Sequence, residues 1–180
     1  MLYYVHGYQS NPNSSKGILL KQKLNVNPIK YRECEPEKLI IPECIKNINN
    51  IIHKDKEPIL IGSSLGGFLS AKIALDNKKI KKLILLNPAI LPKDYDIKKI
   101  KDMPQRILID MLEPRFFQEK IVAETLIIIG TEDNVVPNTW SIDFAKIQES
   151  TIKFLIDDHR FSKNIKKIPV IIEKFLSEKH

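Results

Sequence analysis

The sequence predicts a three-layer α/β domain, in which helices cover both faces of a parallel sheet. Two observations predict this fold class: short apolar runs recur along the chain, and longer segments with helical periodicity separate them. The runs are almost wholly apolar rather than alternating between apolar and polar residues, which is typical of strands covered on both faces. Because strands connected through helices return by right-handed crossovers, we expect the strands to run parallel.

The apolar runs that we predict as strands are residues 2–5, 59–61, 83–86, 126–129 and 152–156. A weaker extended stretch at 28–31 is a sixth candidate, and we place it at an edge of the sheet because Pro28 has no N–H to donate to a neighbouring strand. Helical patterns cover residues 37–54, 65–77, 138–148 and 161–178. The first of them carries an apolar stripe at three- and four-residue spacing, which is typical of an amphipathic helix.

The stretch 88–120 interrupts this alternation. It contains Pro88, Pro92, Pro104 and Pro114, and its remaining apolar residues predict one or two short helices. An insertion at the carboxyl end of a strand lies where ligands bind in open α/β sheets. We therefore predict a small lid or pocket wall after the fourth strand, with an ordinary irregular crossover as the alternative.

Length and charge exclude several classes of function. A chain of 180 residues is long enough for one domain, which we expect to span residues 1–180. The net charge is +7, but only four of the 29 basic residues are arginine, and the lysines are scattered between apolar residues. That pattern is typical of solvated helix faces rather than of a phosphate-binding surface, so we expect no nucleic-acid partner. The oligomeric state stays open.

Membrane and metal chemistry are not expected either. No apolar run approaches the roughly 20 residues that cross a bilayer, and the first residues lack the features of a signal peptide. Cys34 and Cys44 fit no metal or redox spacing, so we expect no metal and no cofactor. Unpaired thiols are typical of a reducing compartment, and we predict a cytoplasmic location.

The strongest local signal is Gly62-Ser63-Ser64-Leu65-Gly66, a G-x-S-x-G pentad between a predicted strand and a predicted helix. A sharp strand-to-helix turn of this kind exposes its central serine, and glycines at 62 and 66 avoid the crowding that side chains would cause. Ser64 would then stand at a helix N-terminus, where free N–H groups favour a developing negative charge. We predict Ser64 as a nucleophile; a purely structural turn is the alternative.

A serine hydroxyl needs a base to take its proton and a third group to orient that base. Of the four histidines, His53 lies on a polar helix face and His180 is terminal, whereas His159 follows the last predicted strand. Where a nucleophile sits on such a turn, the order along the chain is serine, acid, histidine. Asp133 lies in the loop after the strand at 126–129, so Ser64, Asp133 and His159 together predict a catalytic triad.

The loop after the first strand reads His6-Gly7-Tyr8. In this arrangement that loop supplies a second backbone N–H to an oxyanion hole, and Gly7 lets the chain pass close to the nucleophile. We therefore predict that the N–H groups of Tyr8 and Leu65 form the hole. His6 is then a structural residue rather than a base.

Several segments resemble those of a known family. Residues 4–16 read YVHGYQSNPNSSK, similar to the opening Y-x-H-G-F-x-S-x-P-x-S-x-K of the small YqiA-type bacterial esterases of the α/β-hydrolase superfamily. Residues 61–68, IGSSLGGF, resemble the family's V-G-S-S-L-G-G-Y, and residues 86–89, LNPA, resemble its V-N-P-A. The chain departs from the family at Asp157-Asp158, where a glycine pair is usual, and this affects the expected path of the histidine loop.

The resemblance implies an α/β-hydrolase fold and esterase activity on small acyl esters or acyl thioesters, with Ser64, Asp133 and His159 as the triad. The chain is short for this superfamily, so we expect a minimal parallel sheet with the strand order 2-1-3-4-5. Two alternatives stay open: a non-catalytic, hydrolase-like binding module, and a C–C hydrolase or acyltransferase that uses the same triad. The sequence also leaves open whether Arg115 or Arg160 contacts an anionic part of a small-molecule substrate.

Overall fold

The computed structural model describes residues 1–178. Its sheet contains β1 (Leu2–Val5), β2 (Asn27–Ile29), β3 (Ile59–Ser63), β4 (Lys82–Leu86), β5 (Glu124–Gly130) and β6 (Thr151–Leu155). All neighbouring strands pair in parallel, in the order β2-β1-β3-β4-β5-β6. The predicted order 2-1-3-4-5 is confirmed, with β6 added beyond β5, and the weak segment that begins near Pro28 forms the edge strand β2.

Within the described residues, six α-helices lie around the sheet: α1 (Ser15–Leu24), α2 (Ile41–Ile52), α3 (Leu65–Asp76), α4 (Gln105–Asp110), α5 (Asn138–Gln148) and α6 (Lys167–Ser177). They cover both faces, because successive strand residues point to opposite sides and both sides are apolar. In β4, Leu83 and Leu85 contribute to a core with α2, α3, α4 and α5, whereas Ile84 and Leu86 contribute to a core with α1 and α6. The predicted three-layer α/β fold is confirmed.

Helix α1 was not among the predicted helices. The helix lacks a continuous apolar stripe, because it buries only Gly17 and Leu20. Local chemistry starts it instead: the Ser14 hydroxyl accepts a hydrogen bond from the Gly17 N–H at 3.3 Å and so caps the first turn. A side chain at position 17 would meet the Pro12 carbonyl, because a Cβ there would lie 2.1 Å from that oxygen.

Two predicted helices begin later than expected. The pattern at 37–54 becomes helical only at Ile41, after a short 3-10 helix at Pro36–Lys38, and Pro42 then occupies the first turn. The pattern at 161–178 becomes an α-helix only at Lys167. The Asp157 carboxylate accepts hydrogen bonds from the backbone N–H groups of Lys163 and Asn164, which holds this stretch in a loop.

The segment 88–120 contains α4 and two 3-10 helices, Ile97–Lys99 and Pro114–Phe117. Much of it continues the hydrophobic core: the Phe116 ring packs edge-to-face on Phe68 at 5.9 Å and on Phe144 at 5.5 Å between centroids. Phe116 and Met111 are therefore buried core residues. The assignment of other parts of 88–120 to a lid stays a prediction, as does the single-domain boundary. Within residues 1–178, no helix is both long enough and apolar enough to cross a bilayer.

Candidate active site

Ser64 lies at the turn between β3 and α3 with φ 55° and ψ −121°, a conformation that residues with a Cβ rarely adopt. The turn is tight because backbone atoms pass close to it. A Cβ at position 66 would lie 2.0 Å from the Val5 carbonyl oxygen, and one at position 62 would lie 2.3 Å from the Gly66 carbonyl oxygen. Only glycine fits at either position, so the pentad forms the strained turn that its spacing predicts.

Backbone hydrogen bonds hold Ser64 against its neighbours. Its N–H donates to the Leu86 carbonyl at 3.0 Å, and its own carbonyl accepts from the N–H groups of Gly67 at 2.8 Å and Ala89 at 3.1 Å. On the other side lies the loop after β1: a Cβ at Gly7 would be 3.2 Å from the Ser64 Cβ and 3.7 Å from its Oγ. The serine side chain remains partly exposed, so a substrate can reach it.

The loops after β5 and β6 bring Asp133 and His159 together. His159 Nδ1 lies 2.7 Å from Asp133 Oδ2, and the other carboxylate oxygen accepts from the N–H groups of Val135 and Val136. The Asp133 side chain is 1% exposed, whereas that of His159 is 17% exposed. Because the carboxylate accepts, Nδ1 carries the proton, and Nε2 is the nitrogen left to act as an acceptor or base.

Asp157 shapes the loop that carries His159. Its side chain is fully buried, and its two oxygens accept from the backbone N–H groups of Asp158, Lys163 and Asn164 and from the Asn164 side chain. Burial opposes ionisation, but these hydrogen bonds outweigh it and hold the pKa of Asp157 below its usual value. Where the family usually has a flexible glycine pair, the Asp157-Asp158 pair thus holds the loop in place through a network of hydrogen bonds.

Asn87 joins the acid loop to the histidine loop. Its side-chain oxygen accepts from the Gly130 N–H at 2.8 Å, and its Nδ2 donates to the carbonyls of Asp158 at 3.3 Å and His159 at 3.1 Å. The residue is 2% exposed and has φ 43°, the left-handed region that asparagine tolerates. Asn87 belongs to the motif LNPA at residues 86–89, whose pattern alone predicts no role for it.

His6 is built into the fold. Its ring stacks on Tyr31 with 4.3 Å between centroids, and its Nδ1 lies 2.9 Å from the Gly7 carbonyl oxygen. Because a carbonyl only accepts, Nδ1 carries the proton. Burial lowers the pKa of His6 to about 4, which keeps the ring neutral at physiological pH. This geometry agrees with the structural role predicted for His6.

The predicted site residues therefore lie at one end of the sheet, after β1, β3, β5 and β6. The structure joins Asp133 to His159 but records no hydrogen bond between Ser64 Oγ and His159 among residues 1–178. Such contacts are often long before substrate binds, since a serine hydroxyl turns about a single bond. His53 ends α2 and bonds to the Asn50 carbonyl, and His180 lies outside the described residues.

The two arginines that the sequence left open differ in place. Arg115 is bound to Glu113 and to Asp76, the last residue of α3, and so lies at the opposite end of that helix from Ser64. Arg160 is exposed and adjoins His159 in the chain. In the described part of the chain, no group of three or more His, Cys, Asp or Glu side chains could hold a metal ion.

Solved structures share this architecture. The chain is similar to Est1E from Butyrivibrio proteoclasticus (TM-score 0.76, 17% identity, 97% of this chain and 87% of that one) in a structure with bound ferulic acid. It is also similar to alpha/beta hydrolase domain-containing protein 10 from mouse (TM-score 0.74, 18% identity, 97% and 88%). A third similar structure is the monoacylglycerol lipase of Paleococcus ferrophilus (TM-score 0.71, 17% identity, 97% and 93%). At such identities the likeness shows the α/β-hydrolase fold alone.

Sequence comparison identifies the family. Relatives described as UPF0227 proteins occur in Shewanella woodyi, at 28% identity over 77% of this chain and 78% of the relative, and in Vibrio atlanticus, at 25% identity over 91% and 92%. The model of an uncharacterised protein family, UPF0227, matches residues 1–176. The chain therefore belongs to the UPF0227 family, with the α/β-hydrolase fold that its motifs predict.

Proposed function

We propose that this protein is a serine hydrolase that cleaves small carboxylic esters or acyl thioesters through an acyl-enzyme intermediate. One observation carries the proposal: a partly buried Asp133–His159 pair at 2.7 Å lies at the same sheet end as a partly exposed serine on a strained turn. A nucleophile, a base and a group that orients the base are the parts that acyl transfer needs.

The similar structures support a hydrolase more broadly. One is named a monoacylglycerol lipase, and another holds ferulic acid, a small carboxylic acid. The fold by itself hosts many functions, so the assignment to this chain depends on its own side chains.

In the proposed reaction, His159 Nε2 takes the proton of Ser64 Oγ while that oxygen attacks the carbonyl carbon of the ester. Asp133 holds the imidazole through Nδ1 and stabilises the imidazolium that forms. The tetrahedral intermediate collapses, the bond to the alcohol or thiol breaks, and His159 returns the proton to the leaving group. Water, deprotonated by His159, then attacks the acyl-Ser64 carbonyl and releases the acid.

The negative charge on the substrate oxygen is held by the N–H groups of Leu65 and Tyr8. Leu65 is the first residue of α3, and the N–H groups of a first helical turn have no partner within the helix. The Tyr8 N–H has no backbone acceptor among the described residues, and the adjacent Gly7 lies against the Ser64 side chain. Preorganised donors of this kind favour the transition state over the planar ester.

The test replaces Ser64 with alanine and measures hydrolysis of p-nitrophenyl acetate. We expect kcat to fall on the order of 10³-fold or more, because the nucleophile is lost while the fold is kept. Ser63→Ala is the matched control, since this neighbouring hydroxyl is buried in β3 and should leave kcat within about two-fold.

Labelling by a fluorophosphonate probe completes the test. An adduct on Ser64 in the wild type, absent in Ser64→Ala, is expected. A folded wild type without this adduct would favour a non-catalytic binding module, and full activity of Ser64→Ala would refute the nucleophile. A panel of acyl lengths on ester and thioester leaving groups then separates these substrates; failure on all of them would point to C–C hydrolysis or acyl transfer by the same residues.

A further inference from the structure

The loop that carries the Tyr8 N–H is held from outside by two adjacent side chains. Tyr31 and Arg32 follow β2, which pairs in parallel with β1, so they emerge beside the loop that follows β1. Between them they donate hydrogen bonds to four backbone carbonyls of that loop: His6, Gly7, Tyr8 and Ser10.

Tyr31 holds the first half of the loop. Its ring is fully buried against His6, and its single hydroxyl proton is shared between the His6 carbonyl at 3.1 Å and the Gly7 carbonyl at 3.4 Å. The His6 ring also donates to the Gly7 carbonyl, at 2.9 Å. Two donors on different elements therefore fix the direction of a single carbonyl.

Arg32 holds the second half. One terminal nitrogen donates to the Tyr8 carbonyl at 2.8 Å and the Ser10 carbonyl at 3.0 Å, and the other donates to the Cys34 carbonyl at 2.5 Å. Among the residues that the structure describes, no carboxylate forms an ion pair with Arg32. The planar fork of a guanidinium suits this task, because it holds several donors at fixed angles.

These contacts determine where the Tyr8 N–H points. The Gly7 carbonyl and the Tyr8 N–H belong to one planar, trans peptide unit, so they point in opposite directions. With the carbonyl turned towards Tyr31 and His6, the N–H turns the other way. Ser64 adjoins this part of the loop, since a Cβ at Gly7 would lie 3.2 Å from the Ser64 Cβ.

We propose that Tyr31 and Arg32 are positioning residues of the oxyanion hole, which fix the peptide planes of residues 6–10 so that the Tyr8 N–H faces the reacting carbonyl. The inference rests on the proposed serine hydrolase function. Neither side chain touches the substrate; both act through the backbone of the loop.

The experiment compares Tyr31→Phe, Arg32→Met and Arg32→Lys with the wild type. Tyr31→Phe keeps the ring on His6 and removes only the hydroxyl. Arg106→Met is the matched control, because Arg106 also donates to two backbone carbonyls, those of Leu39 and Glu37, but outside the loop. Each variant is assayed for kcat and KM on p-nitrophenyl acetate, for the rate of fluorophosphonate labelling and for thermal unfolding.

We expect kcat and the labelling rate to fall about ten-fold or more in Tyr31→Phe and Arg32→Met, with KM within about two-fold, since the hole acts in the transition state. Arg32→Lys should recover little, because a single ammonium lacks the fork. Arg106→Met should stay within about two-fold of the wild type.

Two outcomes separate the proposals. A wild type that hydrolyses the ester and labels at Ser64, with Tyr31→Phe and Arg32→Met no slower than Arg106→Met, would overturn the positioning role alone. A wild type that does neither would overturn the proposed function itself. If Arg32→Met unfolds, Tyr31→Phe decides the question, because its ring still fills the core.

Discussion

Ser64 carries backbone strain that the rest of the molecule must hold. Its φ of 55° with ψ of −121° lies where glycine is comfortable and other residues are not, at a cost of order 1–3 kcal/mol. The strain raises the hydroxyl above the turn, where substrate can reach it. A protein that accepts such strain at its proposed nucleophile gives up stability for function.

This strain can be measured with glycine. We predict that Ser64→Gly raises the free energy of unfolding above that of Ser64→Ala by about 1 kcal/mol, the relief of strain less the larger entropy of an unfolded glycine. Both variants lack the hydroxyl, so the comparison isolates the backbone. Urea unfolding measures this difference. At the neighbouring position in β3, Ser63→Gly should instead be less stable than Ser63→Ala. A Ser64→Gly variant less stable than Ser64→Ala would show that the turn is not strained.

The site residues differ in how far the sequence predicts them. Ser64, Asp133 and His159 follow strand ends in a telling order, so the pattern alone predicts them. Asn87 and Tyr31 leave no such pattern. Their roles depend on which backbone carbonyls lie within hydrogen-bond distance of the Asn87 amide or the Tyr31 hydroxyl. The pairing of the strands in the folded sheet sets these distances.

The loops at the carboxyl end of the sheet are held by side chains rather than by strand pairing. The loop after β6 is the clearest case, since its backbone N–H groups bond to Asp157 instead of entering α6. Helical periodicity over 161–178 therefore predicts the element but places its start six residues too early. The buried Asp157 carboxylate binds the N–H groups that an additional first turn of α6 would use.

The Asp157 carboxylate should show in the pH dependence of stability. We predict that Asp157→Asn costs about 2–3 kcal/mol at pH 7, because a neutral amide replaces a buried acceptor of several N–H bonds. The pKa of Asp157 is lowered in the folded state, so its contribution is complete above the unfolded value of about 3.9 and is lost as pH falls through the folded value.

Urea titrations at pH 7 and in progressively acidic buffers check this. The stability gap between wild type and Asp157→Asn should be widest at pH 7 and should narrow below about pH 4. Asp143→Asn is the control, because the Asp143 side chain is 57% exposed and should matter little at any pH. A gap that stays constant or widens in acid would contradict the assignment.

The parallel sheet brings the candidate site residues together at one edge of the molecule. Every strand runs the same way, so every carboxyl end lies at one edge, and loops far apart in sequence meet there. The near-continuous apolar strands and the helices between them predict this architecture, because strands buried on both faces are apolar at almost every position. Helix α1 escaped prediction because its start depends on a cap and a glycine rather than on an apolar stripe.

The two cysteines report on the whole fold. Cys34 is exposed, whereas Cys44 is 2% exposed on α2, and burial raises its pKa to about 11. Since the thiolate is the reactive form, Cys44 should react only when the domain opens. We predict that a Cys34→Ser variant labels with iodoacetamide at least about 1,000-fold more slowly in native buffer at pH 8 than in urea.

Mass spectrometry of the labelled chain provides the measurement, with the wild type as the reference that takes one label quickly at Cys34. Labelling of Cys34→Ser at comparable rates in native buffer and in urea would mean that α2 opens without global unfolding.

Asn87 joins the loop of Asp133 and the loop of His159 into a single structural unit. Its one amide binds the backbone at Gly130 on one side and at Asp158 and His159 on the other. A chimera can take its acid loop from one relative and its histidine loop from another. It will therefore fold correctly only if both transplanted loops can hydrogen-bond to the same asparagine. Engineers who wish to exchange specificity in this family should transplant 87–89, 130–137 and 157–164 together.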